Sequence, residues 1–499
     1  MRAQRNALLL VAAAAALLVV SAGSASAQNR FSGNGFQGSH ISKPPMPTQP
    51  MPPPDRGGWH PGGGWHGPGI IVAIPPRGEV VDDGPVEYVP HRPKRPRYPR
   101  RRTTTTQRGP SGVPPANEHR YVPDEVVIEV ANSVSQQQID ALQQRHRLAR
   151  IESHTFQLSG TTMFRWRIPD QRSVAAVVRA LEGDVVVASA QPNYLFTLQQ
   201  SDARPTAAGD SAQYALAKLN LRQAHTIAKG DGVLVAVIDS GIDNRSPELT
   251  GSVVGTFDTL STRMTPHKHG TAIASLIAAH GQLMGAAPDA KILAVRAFDP
   301  SGNGAEGSTF NILKGLDWAA LSRARVINMS FAGPNDPAIH RSIVAVHKIG
   351  IVLVVAAGNA DAKSPPLYPA ADPDVIAVTA TTIDNKLFEL SNRGRHIDVA
   401  APGEQILVAI PDGRYEVSSG TSYSAAEVSG IVALMLQRQP DLTPDKVQRV
   451  LLATAKDLGP KGRDSLFGAG LADAYRALAA ERPPVAQVRP VERVSTGQR

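Results

Sequence analysis

Three side chains with catalytic chemistry stand where predicted strands end or predicted helices begin. Asp239 follows the apolar run 233–238, and His269 stands just before an apolar helical stretch. Ser422 opens a further helical stretch, where the helix N-terminus favours a developing negative charge. A hydroxyl that attacks, an imidazole that takes its proton and a carboxylate that orients the imidazole together make a nucleophilic catalyst. Each type also has an ordinary role, Asp in a turn and Ser as a helix N-cap, and His267 is an alternative histidine.

Asn359 is a fourth candidate, because it closes the buried strand predicted over 351–357. Its amide can donate a hydrogen bond to a developing oxyanion, and the backbone N–H of Ser422 can supply the second donor. A turn-forming Asn is the alternative. Asp, His and Ser occur in the chain order of the subtilisin triad, which differs from the chymotrypsin and α/β-hydrolase orders. Taken together, the four residues indicate a catalytic site rather than four unrelated turns and caps.

The elements that must position these residues alternate between apolar strands and amphipathic helices from about residue 215. Runs that are apolar throughout are typical of parallel strands covered on both faces. The predicted strands cover 233–238, 291–298, 326–331, 351–357 and 375–380. The predicted helices cover about 269–279, 308–323, 336–349, 421–438 and 443–457. This order predicts an α/β fold with a doubly wound, mostly parallel sheet, whose functional sites gather at the carboxyl ends of the strands.

Four sequence blocks around the candidate residues resemble the signature blocks of the subtilases, the subtilisin-like serine proteases. They are Val237-Ile-Asp-Ser-Gly-Ile242, His269-Gly-Thr271, Ala356-Ala-Gly-Asn359 and Gly420-Thr-Ser-Tyr-Ser-Ala425. Two further blocks are similar to family blocks that flank the substrate cleft, Asn328-Met-Ser-Phe331 and Val399-Ala-Ala-Pro-Gly403. The resemblance covers about residues 215–475, and all of its blocks occur in order.

The resemblance implies a serine endopeptidase made as a self-processing zymogen. Ser422 would be the nucleophile and His269 the general base, with Asp239 orienting the imidazole and Asn359 donating to the oxyanion. The implied partners are protein or peptide substrates and the chain's own propeptide, with no cofactor and no metal. An alternative is a module that processes only itself and is anchored by its basic tail. The implied substrate-binding residues are Ser330, Phe331, Ala332, Ala356, Ala357, Gly358 and Leu367.

Residues 119–199 predict a separate small domain that contains no cluster of catalytic side chains. Strands are predicted over 124–130, 162–168, 184–188 and 194–198. Helices are predicted over 133–146, with Ser133 as the N-cap, and over 173–181. The order β-α-β-β-α-β is the split βαβ pattern of a ferredoxin-like α+β domain. By resemblance, this is the inhibitory propeptide that subtilases carry before the protease.

The first 27 residues have the pattern of a cleaved export signal. Arg2 and Arg5 precede the apolar run 7–20, and Ala25-Ser-Ala27 is a small-residue cleavage site. The run is short for a membrane span, which needs about 20 residues. We therefore expect a secreted or periplasmic protein without a transmembrane anchor after cleavage. The predicted division is 1–27 signal peptide, 28–118 disordered segment, 119–199 propeptide, 200–214 linker, 215–482 peptidase and 483–499 tail.

Composition narrows the remaining function classes. The chain has 499 residues, a formal charge of +9 and no cysteine, which excludes disulfides, thiol nucleophiles and thiolate metal sites. Residues 28–118 hold 12 Lys and Arg against 6 Asp and Glu, so most of the excess charge lies in this Pro- and Gly-rich segment. Weak attachment of this segment to an anionic surface is one interpretation, and a solvated linker is the other. Aromatic residues make up only 5%, so specific nucleic-acid binding is not expected.

The chain departs from the subtilase pattern at several positions. After the serine, Tyr423, Ala426 and Glu427 replace the usual Met, Pro and His, which affects local packing rather than the nucleophile. The stretch 279–285 is where the family's high-affinity calcium loop sits. It is too short to supply the roughly six to eight oxygen ligands that calcium takes. We therefore expect no calcium at that position.

Two further departures concern the pocket for the residue before the scissile bond. Leu367 and Ala332 both stand where relatives often have Gly. Their added volume predicts a preference for small or medium apolar residues, such as Ala or Leu, over Phe or Tyr, because overfilling a packed wall is unfavourable. If Leu367 turns outward, the pocket stays open instead.

Overall fold

The computed structural model describes residues 111–199, 213–260, 265–300 and 305–480. The predicted signal peptide, nearly all of the Pro-rich segment, most of the linker and the C-terminal tail lie outside these ranges. Among the helices within them, none combines the length and the apolar character that crossing a bilayer requires.

Residues 111–199 form an antiparallel sheet in the order β4-β1-β3-β2, with two helices over one face. Its elements are β1 (Tyr121–Ala131), α1 (Gln136–His146), β2 (Ala149–Phe156), β3 (Thr161–Arg167), α2 (Val174–Glu182) and β4 (Ser189–Leu198). Ile128 and Trp166 of the sheet pack with Leu142 of α1 and Leu181 of α2 in a core of their own. The predicted α+β architecture is confirmed.

Two strand predictions in this domain fail for different reasons. Strand β2 is missing from the sequence prediction because it is polar and buries only Phe156. The strand predicted over 184–188 is wrong, because these residues form a turn in which the carboxylate of Asp184 accepts the N–H of Val186. Val185 in this turn is 91% exposed, so its β-branched side chain reflects no burial.

The helix cap differs from the prediction. Ser135 rather than Ser133 caps α1, because Ser135 and Gln138 form a reciprocal capping box. The domain start at residue 119 stays a prediction, although residues before it also contact the domain. Gly112 donates its N–H to the carboxylate of Glu182 on α2, so the segment before β1 is tied to the domain.

The remaining described residues contain a seven-stranded sheet, an antiparallel pair of strands, two short strands that pair with β4, and eight α-helices. The strands are β5 (Leu234–Asp239), β6 (Val253–Asp258), β7 (Lys291–Arg296), β8 (Glu306–Ser308), β9 (Val326–Met329), β10 (Phe331–Ala332), β11 (Val352–Ala356), β12 (Ile376–Thr381), β13 (Val399–Pro402), β14 (Ile406–Ile410) and β15 (Arg414–Ser418). The helices are α3 (Tyr214–Lys218), α4 (Leu221–Ala224), α5 (Lys268–Ala278), α6 (Thr309–Leu321), α7 (Pro337–Lys348), α8 (Thr421–Arg438), α9 (Pro444–Thr454) and α10 (Ala474–Ala480), and 3₁₀ turns lie at Pro247–Leu249 and Pro411–Gly413.

The large sheet is parallel throughout, in the order β13-β12-β11-β9-β5-β7-β6. Side chains of β5 alternate between its faces. Val235 and Val237 join the core formed with α5 and α8, whereas Ala236 and Ile238 join the core formed with α6 and α7. The predicted doubly wound α/β fold is therefore confirmed, and the strand ends that it brings together carry Asp239 and the residues after β11.

The N-terminal domain shares one of these cores with the large sheet. Its open sheet face contributes Val127, Met163 and Tyr194 to the cluster that contains Phe310 of α6 and Ile339 of α7. The two domains are thus packed against each other through apolar side chains, and not only joined through the linker.

Candidate active site

Asp239 and His269 form a buried hydrogen-bonded pair. The Nδ1 atom of His269 lies 2.8 and 2.9 Å from the two carboxylate oxygens of Asp239, and both side chains are completely buried. An ionised carboxylate only accepts hydrogen bonds, so Nδ1 carries the proton and the neutral ring has its lone pair at Nε2. Ser240 was not singled out from the sequence, yet its N–H and hydroxyl both donate to Asp239, at 2.7 and 2.9 Å.

Glycines let the strand end and the start of α5 approach so closely. A Cβ on Gly270 would lie 2.3 Å from the carbonyl oxygen of Gly241 and 3.2 Å from the Asp239 carboxylate. A glycine at position 270 therefore leaves room for the backbone of Gly241 and for the carboxylate of Asp239. Gly241 itself has φ of 107°, a conformation that other residues rarely adopt.

His267 takes a supporting position in the same network. Its Nδ1 lies 2.7 Å from the hydroxyl oxygen of Ser240, and it is Ser240 that contacts Asp239. Burial lowers the pKa of His267 below its ordinary value, which favours the neutral ring. His269, not the alternative His267, is the histidine in contact with the buried carboxylate.

Ser422 is the second residue of α8 and is completely buried. Its hydroxyl donates to the carbonyl oxygen of Ser330 at 3.1 Å, and the hydroxyl of Ser330 donates back to the carbonyl of Ser422 at 3.2 Å. The ring of Tyr423, the next residue, lies 6.1 Å from the ring of His269. Among the described residues, Nε2 of His269 has no hydrogen-bond partner, so the acceptor that a serine hydroxyl needs is unoccupied.

The amide of Asn359 is held by one end only. Its Oδ1 accepts hydrogen bonds from the N–H and the hydroxyl of Thr421, at 3.0 and 2.9 Å. Its Nδ2 is buried and has no partner within the described ranges, although buried donors are normally paired. Thr421, which the sequence analysis did not single out, thus fixes which end of the amide remains available beside Ser422.

The predicted substrate-binding residues around Ser330 lie on a strand edge. Phe331 and Ala332 form β10, which pairs antiparallel with β4 of the N-terminal domain. The predicted cleft edge is therefore covered by a strand of the same chain.

The other predicted substrate-binding residues line the end of β11. Ala356 and Ala357 are buried in and just after this strand, and Gly358 follows with φ of 109°. A Cβ on Gly358 would lie 3.0 Å from a methyl carbon of Leu367, which is itself only 7% exposed. These contacts favour a Leu367 that turns inward over one that leaves the pocket open.

Glu427 lies on α8, five residues after Ser422, and points into the core. It is buried on α8, it lines a cavity of about 20 Å³ with Tyr214 and Leu276, and burial raises its pKa well above the ordinary value. Its Oε2 has no hydrogen-bond partner in the part of the chain that the structure describes. The sequence signalled this residue only as a departure from the family pattern.

Glu248 binds the loop at 279–285, where subtilases carry their high-affinity calcium site. Its buried carboxylate accepts the N–H groups of Gln282 and Leu283, at 3.0 and 2.9 Å, and the hydroxyl of Tyr415. The two N–H groups are donors, which bind a carboxylate but cannot coordinate a cation. The loop residues therefore do not fit a calcium ion at this position, and the expectation of none there stays a prediction that this chemistry favours.

Two family models match the chain. The model of the subtilase family covers residues 230–470, and that of the fervidolysin N-terminal prodomain covers residues 107–193. The protein is 33% identical to thermitase of Thermoactinomyces vulgaris, over 54% of this chain and 96% of thermitase. It is 34% identical to the minor extracellular protease Epr of Bacillus subtilis (strain 168), over 54% of this chain and 42% of Epr.

One solved structure extends the likeness across both domains. Fervidolysin from Fervidobacterium pennivorans, described as a keratinolytic enzyme related to subtilisin, superposes with a TM-score of 0.63 at 24% identity. The match covers 73% of this chain and 62% of fervidolysin. At that identity the likeness concerns the fold, and the chain spans less than two thirds of both Epr and fervidolysin.

Proposed function

The chain belongs to the subtilase family of serine endopeptidases and carries a prodomain, and from this premise we propose that Asp239, His269 and Ser422 are its catalytic triad. The observation that carries the proposal is the surroundings of Ser422. His269 contacts Tyr423 on one side with a free Nε2, and Asn359 contacts Thr421 on the other with a free Nδ2. Leaving two buried nitrogens without partners is unfavourable unless a ligand or a reaction uses them.

Acylation begins when His269 Nε2 takes the hydroxyl proton of Ser422 and Oγ attacks the carbonyl carbon of the scissile peptide. The negative charge that develops on the carbonyl oxygen is met by Nδ2 of Asn359 and by the backbone N–H of Ser422. Asp239 keeps the imidazole oriented and stabilises its protonated form. His269 then gives the proton to the leaving amine, and an acyl-enzyme remains on Ser422.

Deacylation repeats these steps with water as the attacking group. His269 takes a proton from the water, the hydroxide attacks the acyl carbon, and the proton returns to Oγ of Ser422. The products are a carboxylic acid and an amine, and the enzyme is regenerated without a cofactor.

The same proposal includes export and self-processing. Residues 1–27 have the pattern of an export signal, and Epr, a relative, is named as extracellular. The proteolytic activity of a secreted or periplasmic enzyme of this kind must be inhibited until the enzyme is exported. The prodomain, which packs on α6 and α7 and lays β4 against β10, supplies such a restraint.

Labelling with a serine-reactive fluorophosphonate tests the assignment. We expect labelling of the wild type and of Ser424→Ala, a matched serine two residues along α8, and none of Ser422→Ala. Labelling of Ser422→Ala at the wild-type rate would refute Ser422 as the nucleophile. Casein is then offered to the enzyme that reacts with the fluorophosphonate. Hydrolysis of casein indicates a general endopeptidase, and no hydrolysis indicates a module that processes only itself.

A further inference from the structure

The last residues of β4 lie in the substrate cleft as the central strand of three. We call residues 195–199 the cleft strand. On one side Leu195, Phe196 and Thr197 pair antiparallel with β8, opposite Ser308, Gly307 and Glu306. On the other side Thr197 and Leu198 pair antiparallel with Ala332 and Phe331 of β10. A peptide held by two strand edges in this way is fixed in register, because a shift by one residue would turn every side chain to the other face.

The backbone bonds beyond this ladder lead to the nucleophile. Leu198 donates its N–H to the carbonyl of Ala305 at 3.3 Å, and Gln199 donates its N–H to the carbonyl of Ser330 at 3.1 Å. The carbonyl oxygen of Ser330 also accepts the hydroxyl of Ser422. Gln199 and Ser422 thus share one hydrogen-bond acceptor, which favours the carbonyl carbon of Gln199 as the point of attack.

We infer that the prodomain is released by cleavage of the bond between Gln199 and Gln200, and that the enzyme prefers substrates with Gln before the scissile bond and Phe three residues upstream. The inference rests on the proposed function. In this step Ser422 Oγ bonds to the Gln199 carbonyl carbon, the bond to the nitrogen of Gln200 breaks, and that nitrogen receives the proton through His269. Water then releases Gln199 as a carboxylate.

The side chain of Gln199 supports the preference for Gln. It is 8% exposed, and its Oε1 accepts the backbone N–H of Asn359 at 2.7 Å. Its Nε2 donates to the carbonyl and the hydroxyl of Thr197, at 2.9 and 3.3 Å. Both ends of the carboxamide are thus satisfied. Leu of similar size would leave the N–H of Asn359 without a partner, and Glu could not donate to Thr197.

Phe196 supports the upstream preference. Its ring is completely buried and meets the ring of Phe331 edge to face at 5.9 Å. A Cβ on Gly333 would lie 2.3 Å from the ring of Phe196, so the absence of a side chain at Gly333 makes room for an aromatic group. Thr197 lies between Phe196 and Gln199 in the sequence and is exposed, so we expect other residues to be accepted at its position.

Mass spectrometry of the earliest products tests the bond. The purified full-length chain is incubated and the N-terminal fragment is weighed, and we expect it to end at Gln199. An end at any other residue overturns the bond assignment. If no fragment forms and the fluorophosphonate does not label Ser422, it is the proposed function that fails, so the two failures are distinguishable.

Quenched peptides test the specificity without changing the protein. The parent carries residues 194–201, Tyr-Leu-Phe-Thr-Leu-Gln-Gln-Ser, and variants replace the sixth residue by Leu, Glu or Phe or the third by Ala. We expect kcat/KM to fall about fivefold or more for Leu, and tenfold or more for Glu, Phe and the Ala variant. Leu and Phe leave the N–H of Asn359 unpaired, Glu cannot donate to Thr197, and Ala leaves a cavity beside Phe331. A variant with Ala at the second residue, equivalent to the half-exposed Leu195, is the matched control and should stay within about twofold.

Each peptide result tests one of the two proposed preferences. A Leu or Phe peptide cut at least as fast as the parent at the same bond overturns the preference for Gln. An upstream Ala peptide that equals the parent overturns the preference for Phe. Failure to cut the parent while casein is hydrolysed overturns both. In the full chain, Gln199→Leu should slow processing and Gln137→Leu, at an exposed position of α1, should not.

Discussion

The prodomain contacts the protease through two regions that differ in the kind of contact they make. The cleft strand bonds to β8 and β10 chiefly through backbone groups. The second region, which we call the docking face, bonds through side chains to α6 and α7. Its polar residues are Glu129, Glu152, Gln191 and Asn193, which meet Arg341, Lys314, Asp336 and the N–H of Phe310.

Gln191 illustrates how specific the docking face is. Its Nε2 donates to the buried carboxylate of Asp336 at 2.7 Å, and its Oε1 accepts the N–H of Ala338 at 3.1 Å. Asp336 is also the N-cap of α7 and accepts the hydroxyl of Thr309 at the start of α6. We therefore expect affinity and chemistry to be separable, with the docking face selecting one partner and the cleft strand presenting the bond that we propose is cut.

Removing the proposed nucleophile should give the largest effect on self-cleavage. It should stop cleavage at the cleft strand and leave the contacts of the docking face unchanged. We expect Ser422→Ala to remain full length, because its residual rate falls by about 10³-fold or more without an attacking group. Gel analysis of the purified protein over days measures this. Equal processing of Ser422→Ala in a pure preparation would show that another agent cuts the chain.

Removing the oxyanion donor should come next. We expect Asn359→Leu to lower kcat by roughly 10²–10³-fold, the loss seen in subtilisin, a relative, when its oxyanion-hole amide is removed. Binding of the docking face should be unaffected, since Asn359 lies outside it. Steady-state kinetics on a chromogenic peptide measures the loss, and a change confined to KM would contradict the role.

Weakening the docking face should leave the chemistry intact. Gln191→Ala removes one donor to Asp336 and the acceptor for Ala338, so we expect the cleaved prodomain to bind about tenfold to a hundredfold more weakly. Activity recovered on serial dilution of the processed complex measures this. The cut should remain where it is in the wild type, and Gln137→Ala on α1 serves as the control. Unchanged inhibition would mean that the cleft strand alone provides the affinity.

Enlarging the primary pocket should alter which residue the cleft accepts. Because Leu367 packs near Gly358, we expect Leu367→Gly to raise kcat/KM for Phe relative to Leu before the scissile bond by about tenfold. Anilide substrates that differ only at that residue provide the measurement. If the wild type already cuts the Phe substrate ten times faster than the Leu one, the pocket is open and the prediction is wrong.

The smallest expected effect is a pH dependence of the docking face. Burial raises the pKa of Asp336 above its ordinary value of 3.8. The folded state therefore holds this proton more tightly than the unfolded state, and the contribution of Asp336 to stability is lost as the pH rises from 3.8 through the raised pKa. The cleft strand's backbone contacts do not titrate.

The measurement compares two variants that cannot cleave themselves. We expect the unfolding temperature of Asp336→Asn in a Ser422→Ala background, minus that of Ser422→Ala alone, to increase as the pH rises above about 4. Asn also caps helices well, so the α7 N-terminus is retained. A difference that stays constant with pH would contradict the assignment.

Much of the large domain could be predicted from sequence because its elements depend on local pattern. Each apolar run that predicts a strand in this domain forms one, and the helix Thr421–Arg438 has the predicted bounds. In the small domain the pattern was weaker: β2 is mostly polar, and the valines of 184–188 lie in a turn. Alternation predicts a strand only where one face is buried.

The position of the scissile bond could not be predicted in the same way. The sequence predicts only a linker over 200–214 in this region, most of which lies outside the described residues. The register of Gln199 depends on its pairing with β8 and β10, which lie more than a hundred residues further along the chain. The unpaired Nδ2 of Asn359 likewise depends on Thr421, a contact across 62 positions.

The carboxylate of Glu248 has a consequence for how the loop at 279–285 responds to its surroundings. A loop held by a dissolved ion obeys mass action, so its stability falls when the ion is diluted or chelated. Glu248 is tethered to the loop by the same chain, so its encounter with the Gln282 and Leu283 amides is unimolecular and independent of any concentration. The contact between Glu248 and this loop therefore does not depend on the concentration of any ion.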